Sequence, residues 1–234
     1  MTKTAFITGS GKGIGKAIAE LLLLKGYQVF GYSRSNSINH NHFSFTRIDL
    51  TDLEKIQKLS FPKVLGEVIL INNAGTIGEI MPLNLKSEEA IINEYNLNII
   101  APTLLCKKFI ESFRKQGKII LNISSGAANK SIPSWNTYCA AKAALDRVSD
   151  VIAEEKHSNL KILSVHPGIV DTNMQIEIRN ADPKLFPDLE QFIDYFTNNE
   201  LENVDIVAKK LFYIIENNTQ FTENFLSIRD VSIN

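Results

Sequence analysis

The sequence predicts an α/β fold, doubly wound, with one parallel sheet covered by helices on both faces. Three observations carry that prediction. Short apolar, β-branched runs alternate with helix-length segments from end to end. Central runs such as Val68-Ile69-Leu70-Ile71 are apolar at every position rather than every second one, as suits strands buried on both faces. The first run ends in a glycine-rich turn that opens into a helical pattern. Parallel strands joined through helices cross over right-handedly, which distributes the helices to both sides.

Residues 3–8 (KTAFIT) read as the first strand, and residues 14–25 as the first helix, with apolar positions at helical spacing. A strand at 28–32, a weaker one at 43–48, a helix at 52–59 and a strand at 68–71 continue the alternation. Long helical patterns over 87–114 and 137–155 flank a strand at 118–123 (KIILNI). A strand at 160–166, a helix near 204–217 and a terminal strand near 225–228 complete the set. Two segments stand outside it. Residues 35–42 (SNSINHNH) are polar and read as a surface loop; His40 and His42 lack Cys or carboxylate neighbours at ligand spacing, so no metal is expected. Residues 171–202 carry Pro183, Pro187, Phe186, Phe192, Tyr195 and Phe196, and read as a substrate lid inserted before the last sheet unit. No repeat or linker divides the chain, so residues 1–234 are expected to form one domain.

Composition narrows the function classes. Hydrophobic residues make up 44% and charged residues 22% of the 234, which excludes disordered and fibrous chains. Twenty-five Lys and Arg against 26 Asp and Glu give a net charge of −1, so nothing in the global charge recruits nucleic acid or an anionic membrane. Near the start, the longest apolar run, Leu21 to Leu24, is far short of the roughly 20 residues of a membrane span. Cys106 and Cys139 are too few for a disulfide framework, and no signal peptide pattern is present; a cytoplasmic protein is expected.

The first turn, Thr8-Gly9-Ser10-Gly11-Lys12-Gly13-Ile14-Gly15, suits a diphosphate. Missing Cβ atoms allow close backbone approach, and the N–H groups and positive end of the following helix stabilise the ligand's charge. Dinucleotide folds that prefer NAD place a carboxylate at the end of the second strand. Here no Asp or Glu occurs between Glu20 and Asp49; the strand ends in Tyr32-Ser33-Arg34, and Lys12 waits in the glycine turn. Two cations and no acid predict the 2′-phosphate of NADP(H). Downstream, Tyr138 and Lys142 stand four apart on one helix face, so the ammonium is expected near the phenol, drawing its pKa from ~10 toward neutrality and making Tyr138 a general acid. Ser125, just after the KIILNI strand, is placed to polarise a carbonyl oxygen.

The Thr-Gly-x-x-x-Gly-x-Gly turn, Asn72-Asn73-Ala74-Gly75 at a strand end, a Ser thirteen residues before a Tyr, and Tyr-x-x-x-Lys occur in order, and together they resemble the short-chain dehydrogenase/reductase family over essentially the whole chain. The resemblance implies a Rossmann domain and an oxidoreductase acting between CH–OH and C=O groups. It implies Asn98, twenty-seven residues before Ser125, as the Asn of a proton relay, with Asn96 as a competitor and Pro102 distorting that helix. It implies Asp49 and Leu50 beside the adenine, Asn73, Ala74 and Gly75 along the ribose, Lys142 on the nicotinamide ribose, Pro167, Gly168 and Val170 near the nicotinamide, and Thr172 on its carboxamide. A homodimer or homotetramer is implied too, pairing the helices that carry Asn98 and Tyr138.

Longer strings, Trp135-Asn136-Thr137-Tyr138-Cys139-Ala140-Ala141-Lys142 and Val170-Asp171-Thr172-Asn173-Met174-Gln175, look like sepiapterin reductases and the bacterial reductases of benzil-type diketones. In that likeness Trp135 and Met174 line the substrate pocket. Ser227 stands where sepiapterin reductases supply an Asp that anchors the pterin, and Asp230 would face the other way if the strand continued. The reading is an NADPH-dependent carbonyl reductase of a ketone or vicinal dicarbonyl. Its rival, an NADP-sensing regulator without turnover, should lack the Tyr or the Lys, and both are present.

Overall fold

The computed structural model describes residues 3–233. Strands β1 (Lys3–Thr8), β2 (Gln28–Ser33), β3 (Phe43–Arg47), β4 (Glu67–Asn72), β5 (Lys118–Ile123), β6 (Leu160–His166) and β7 (Phe225–Ser227) form one sheet in the order β3-β2-β1-β4-β5-β6-β7, parallel throughout. The chain winds outward from β1 to β3, then returns to place β4 on the other side of β1. That reversal opens a crevice at the carboxyl ends of β1 and β4.

The apolar residues of the central strands feed two cores. Ala5 and Ile7 of β1, with Ile69 and Ile71 of β4, pack against helix α1 (Gly13–Leu24) and the late helix Val204–Glu216. Phe6, Val68 and Leu70 point the other way, into helices α2 (Leu53–Lys58) and Ala101–Ser112. On that second face Phe6 meets Phe61 edge-on at 4.9 Å between centroids and stacks on Phe113 at 5.5 Å. Each such ring contributes roughly 1.5–3 kcal/mol by burial.

The helical pattern over 87–114 is not one helix. It is α3 (Glu88–Tyr95), a π turn over Asn96–Ile100 in which Ala101 N–H bonds back to the Asn96 carbonyl, and α4 (Ala101–Ser112). Pro102 has no N–H to give the carbonyl four residues before it, which is that of Asn98, so the regular ladder fails there. Asn136–Glu154 forms α5. The inserted segment 171–202 folds into α6 (Asn173–Arg179) and α7 (Leu189–Thr197), and Val204–Glu216 is α8. The lid's ends are stitched together: Val170 and Glu202 form a parallel bridge, with Glu202 N–H on the Ile169 carbonyl at 2.8 Å and Asp171 N–H on the Glu202 carbonyl at 3.0 Å. Its aromatics turn inward, Phe186 stacking on Trp135 at 5.8 Å and Phe192 tilted against it at 5.0 Å, while Phe196 stays half exposed under the Arg179 guanidinium. The lid aromatics therefore form a small core of their own.

Strand β7 stops at Ser227, whose hydroxyl accepts Arg229 N–H and starts a 3-10 turn over Ile228–Asp230. Strand alternation thus does not extend to Asp230. Among the described residues there is no group of three or more His, Cys, Asp or Glu placed to hold a metal ion, and no helix long and apolar enough to cross a membrane.

Candidate active site

A cleft of about 550 Å³ runs along the carboxyl ends of the strands, where the winding reverses. Its floor begins at the glycine turn. Gly9 sits at φ +68°, where a side chain would be strained, and a Cβ on Gly15 would fall 2.3 Å from both the Gly9 carbonyl oxygen and Asn73 Nδ2. The turn is braced from β4: Asn73 Nδ2 donates to the carbonyls of Thr8 and Gly9 at 3.1 and 3.3 Å, and Thr8 Oγ1 accepts the N–H groups of Asn73 and Ala74, each at 3.0 Å. Helix α1 starts at Gly13 without a side-chain cap from Lys12 and without an acid in its first turn, so its N–H groups and positive end face the cleft. Ser10 Oγ, fully buried beside them, has no hydrogen-bond partner. This orphaned hydroxyl, the uncapped helix and the Cβ-free cradle fit a diphosphate.

Gly9, Gly11, Lys12, Gly13 and Ile14 line the cleft, as do Ser33, Arg34, Asp49, Leu50, Asn73, Ala74 and Gly75. Lys12 and Arg34 are exposed; Ser33 Oγ donates to the Ser35 carbonyl. The Asp49 carboxyl is held low chiefly by Thr51 N–H, with a smaller contribution from Arg34.

Tyr138, Lys142, Pro167, Thr172 and Met174 also line the cleft. Tyr138 hydrogen-bonds Ser125, whose Oγ also accepts Ala127 N–H at 3.1 Å. The ammonium of Lys142 lies over the Tyr138 ring, 5.7 Å from its centroid, and donates to the Ile123 carbonyl at 2.8 Å. In this arrangement burial outweighs the cation: it pushes the phenol up to about 12, against the lowering bond from Ser125, and pulls Lys142 down to about 8, against the Asp146 charge. The expected drop of the Tyr138 pKa toward neutrality does not occur here, and Tyr138 stands as a protonated donor. Because unfolded Lys142 holds its proton to about 10.5, the unfolded chain binds more protons between about 8 and 10.5 and stability linked to this group rises with pH there, while the site's cation is lost.

Asn98 is buried, with Oδ1 accepting Thr76 N–H at 3.0 Å and Nδ2 donating to the Thr76 carbonyl at 2.9 Å. A Cβ on Gly75 would stand 3.1 Å from Asn98 Oδ1 and 3.6 Å from Lys142 Nζ, so both flank that glycine. Asn96 points away, donating to the Thr51 carbonyl. Gly168, at φ +78°, and Val170 follow Pro167 into the lid's stitched base. Trp135 is buried behind Tyr138, meeting its ring edge-on at 5.7 Å. Ser227 sits at the end of β7 opposite His166, and neither it nor Asp230 is among the residues facing the cleft.

Two groups escaped the sequence reading. Asp146, one turn beyond Lys142, is buried; burial alone would raise its carboxyl, but bonds from His166, Ser124 and Ser164 hold it low. Its signal was available, since 138, 142 and 146 share a helix face. Glu94, which also lines the cleft, is ion-paired with Lys86, and nothing local announces that pair.

A family model described as short chain dehydrogenase matches residues 3–183. Benzil reductase ((S)-benzoin forming) of Bacillus subtilis is 32% identical over 228 residues, covering 92% of this chain and 93% of that protein. Sepiapterin reductase of Xenopus tropicalis is 27% identical, covering 90% of each. A solved short-chain dehydrogenase/reductase of Saccharomyces cerevisiae superposes with a TM-score of 0.85 at 25% identity, covering 97% of this chain and 96% of that one.

Proposed function

Because this chain belongs to the short-chain dehydrogenase family of nicotinamide-dependent oxidoreductases, we propose that it is an NADPH-dependent reductase of vicinal dicarbonyls, working in the cytoplasm as a homodimer or homotetramer. One observation carries the reading: Arg34 and Lys12, the glycine cradle, and Tyr138 and Lys142 all line one cleft. A lone monomer in light scattering would exclude the assembly.

Lys12 and Arg34 hold the 2′-phosphate, the first turn of α1 and Ser10 hold the diphosphate, and Lys142 holds the nicotinamide ribose. When bound, NADPH supplies the hydride. Ser125 orients the substrate carbonyl by donating to its oxygen, and Tyr138 Oη gives that oxygen the proton that balances the hydride added to carbon. Lys142, fixed by the Ile123 carbonyl and flanking Gly75 opposite Asn98, is the group from which Tyr138 regains a proton.

Arg34→Asp should reverse or abolish the preference for NADPH over NADH, since it sets a carboxylate against the 2′-phosphate. Ratios of kcat/KM for the two cofactors measure it, and equal use of both by the unmutated protein would contradict the assignment. A pH profile gives a second check. The value of kcat/KM, which reports the free enzyme, should fall as pH rises through about 8, where Lys142 loses its charge; a flat profile from pH 7 to about 9.5 would remove Lys142 from this role.

Benzil should be reduced with at least tenfold higher kcat/KM than sepiapterin, because no carboxylate from β7 or the turn after it reaches the cleft to hold a pterin's amino-pyrimidine edge. Glu79 and Glu177 also line the cleft and favour the second reading, a pterin held by one of these carboxylates. The same assay decides between them. If the pterin wins, Glu79→Gln or Glu177→Gln should remove its advantage.

A further inference from the structure

Beside the cleft, a buried cluster of polar atoms converges on Glu94. Its Oε2 accepts Lys86 Nζ at 2.6 Å and the Thr137 hydroxyl, and its Oε1 accepts Glu79 N–H at 2.7 Å; Lys86 Nζ also donates to Thr137 Oγ1 at 2.8 Å. The Lys86 side chain is 0% and the Glu94 side chain 5% exposed. Gly78, at φ +72°, lies flat against the carboxylate, where a Cβ would come within 2.0 Å of it. A buried ion pair is a poor source of net stability, since desolvating both charges cancels most of their attraction. What this one does is geometric.

Glu94 lies in the last turn of α3, four residues before Asn98, and Thr137 immediately precedes Tyr138 on α5. The segment Thr76–Glu79, part of the cleft wall, is gripped at both ends, from α3 and from the π turn that follows it: Asn98 takes both backbone groups of Thr76, and Glu94 takes the N–H of Glu79. The same carboxylate and its Lys86 counter-ion clamp the first turn of α5 through the Thr137 hydroxyl. We propose that Glu94, with Lys86 and Thr137, is a positioning unit that fixes the Tyr138 phenol relative to Asn98 and to the substrate wall. It rests on the carbonyl-reductase reading and extends it to residues that act by positioning Tyr138 and the cleft wall. Misplacement of a catalytic group by about 1 Å costs on the order of a hundredfold in rate.

The test uses the full chain and a diketone with NADPH. Thr137→Val keeps the side chain's shape and the ion pair but removes the hydroxyl, and should lower kcat about ten- to a hundredfold, with NADPH affinity and melting temperature nearly unchanged. Thr137→Ser, which restores the hydroxyl, should recover at least half of the lost activity. Lys86→Met with Glu94→Gln removes both charges together and should reproduce the loss in kcat rather than in KM. A purely structural role predicts instead a lower melting temperature with normal kcat per folded molecule. Normal kcat in Thr137→Val overturns the proposal even if the double variant fails to fold. If the unmutated protein reduces no carbonyl, the functional reading fails separately, and positioning is read from amide exchange. Thr137→Val must then accelerate exchange in the first turn of α5, and unchanged exchange overturns the proposal.

Discussion

Tyr138→Phe should bind NADPH as tightly as the unmutated protein and lose reduction by about 10²- to 10⁴-fold, the range expected when a positioned proton donor is removed. The substitution is clean. The ring stays edge-on to Trp135 and inside its buried cluster, and Ser125 keeps its bond from Ala127 N–H, so the variant differs only in the missing hydroxyl. Titration of NADPH fluorescence, beside single-turnover reduction of a diketone, separates binding from chemistry. A variant retaining most of its turnover would assign the proton to another group. Because burial places the phenol near 12, the donor should remain protonated across the neutral range, and the high-pH loss of rate belongs to Lys142.

Gly15→Ala sets two effects of opposite sign against each other. Helix propensity alone favours Ala over Gly by about 1 kcal/mol. Gly15 lies within α1 at an ordinary backbone angle, so propensity would predict a more stable protein. The new methyl, however, would stand 2.3 Å from the Gly9 carbonyl oxygen and from Asn73 Nδ2, and one of the two obstacles is backbone. Forcing a methyl into a packed site costs about 1–3 kcal/mol, and here it also opens the cradle. The steric effect wins: melting temperature should drop, and NADPH affinity should fall by more than tenfold. A stabilised variant with normal cofactor affinity would show that the turn closes less tightly than Asn73's two bonds imply.

Periodicity carried most of the fold because strand and helix patterns are local. KTAFIT, VILI and KIILNI each became a strand within a residue or so of its expected bounds, and the glycine turn opened α1 as its spacing required. The break in the 87–114 pattern was harder to read. The apolar rhythm continues through Asn96–Ile100, and only Pro102, by withholding one N–H, marks where the ladder loosens. Motif residues were legible because their chemistry is bound to fixed spacings, as with Tyr138 and Lys142. Glu94 and Lys86 were not, since a buried ion pair between residues eight apart looks in sequence like two ordinary surface charges. Tertiary packing was out of reach of the sequence as well: it gathers Trp135, Phe186 and Phe192 with Tyr138 into one buried cluster, though they are dispersed along the chain.

The stitched base of the lid has a consequence for how such a protein can diversify. Residues 171–202 leave and re-enter the body at one point, fastened by the Val170–Glu202 bridge, and carry a small core that packs on Trp135. A segment anchored in this way is close to an exchangeable cassette. Lengthening it changes the entropy of closure only slowly, about 0.6 kcal/mol for each doubling of its length. The glycine turn and Arg34 lie on other loops, and the turn meets the segment only through Gly13 against Thr172. Beyond Thr172, changes in this segment can therefore alter the cleft wall that Met174 and Glu177 form without touching the strand ends and turn that carry Arg34 and the glycines.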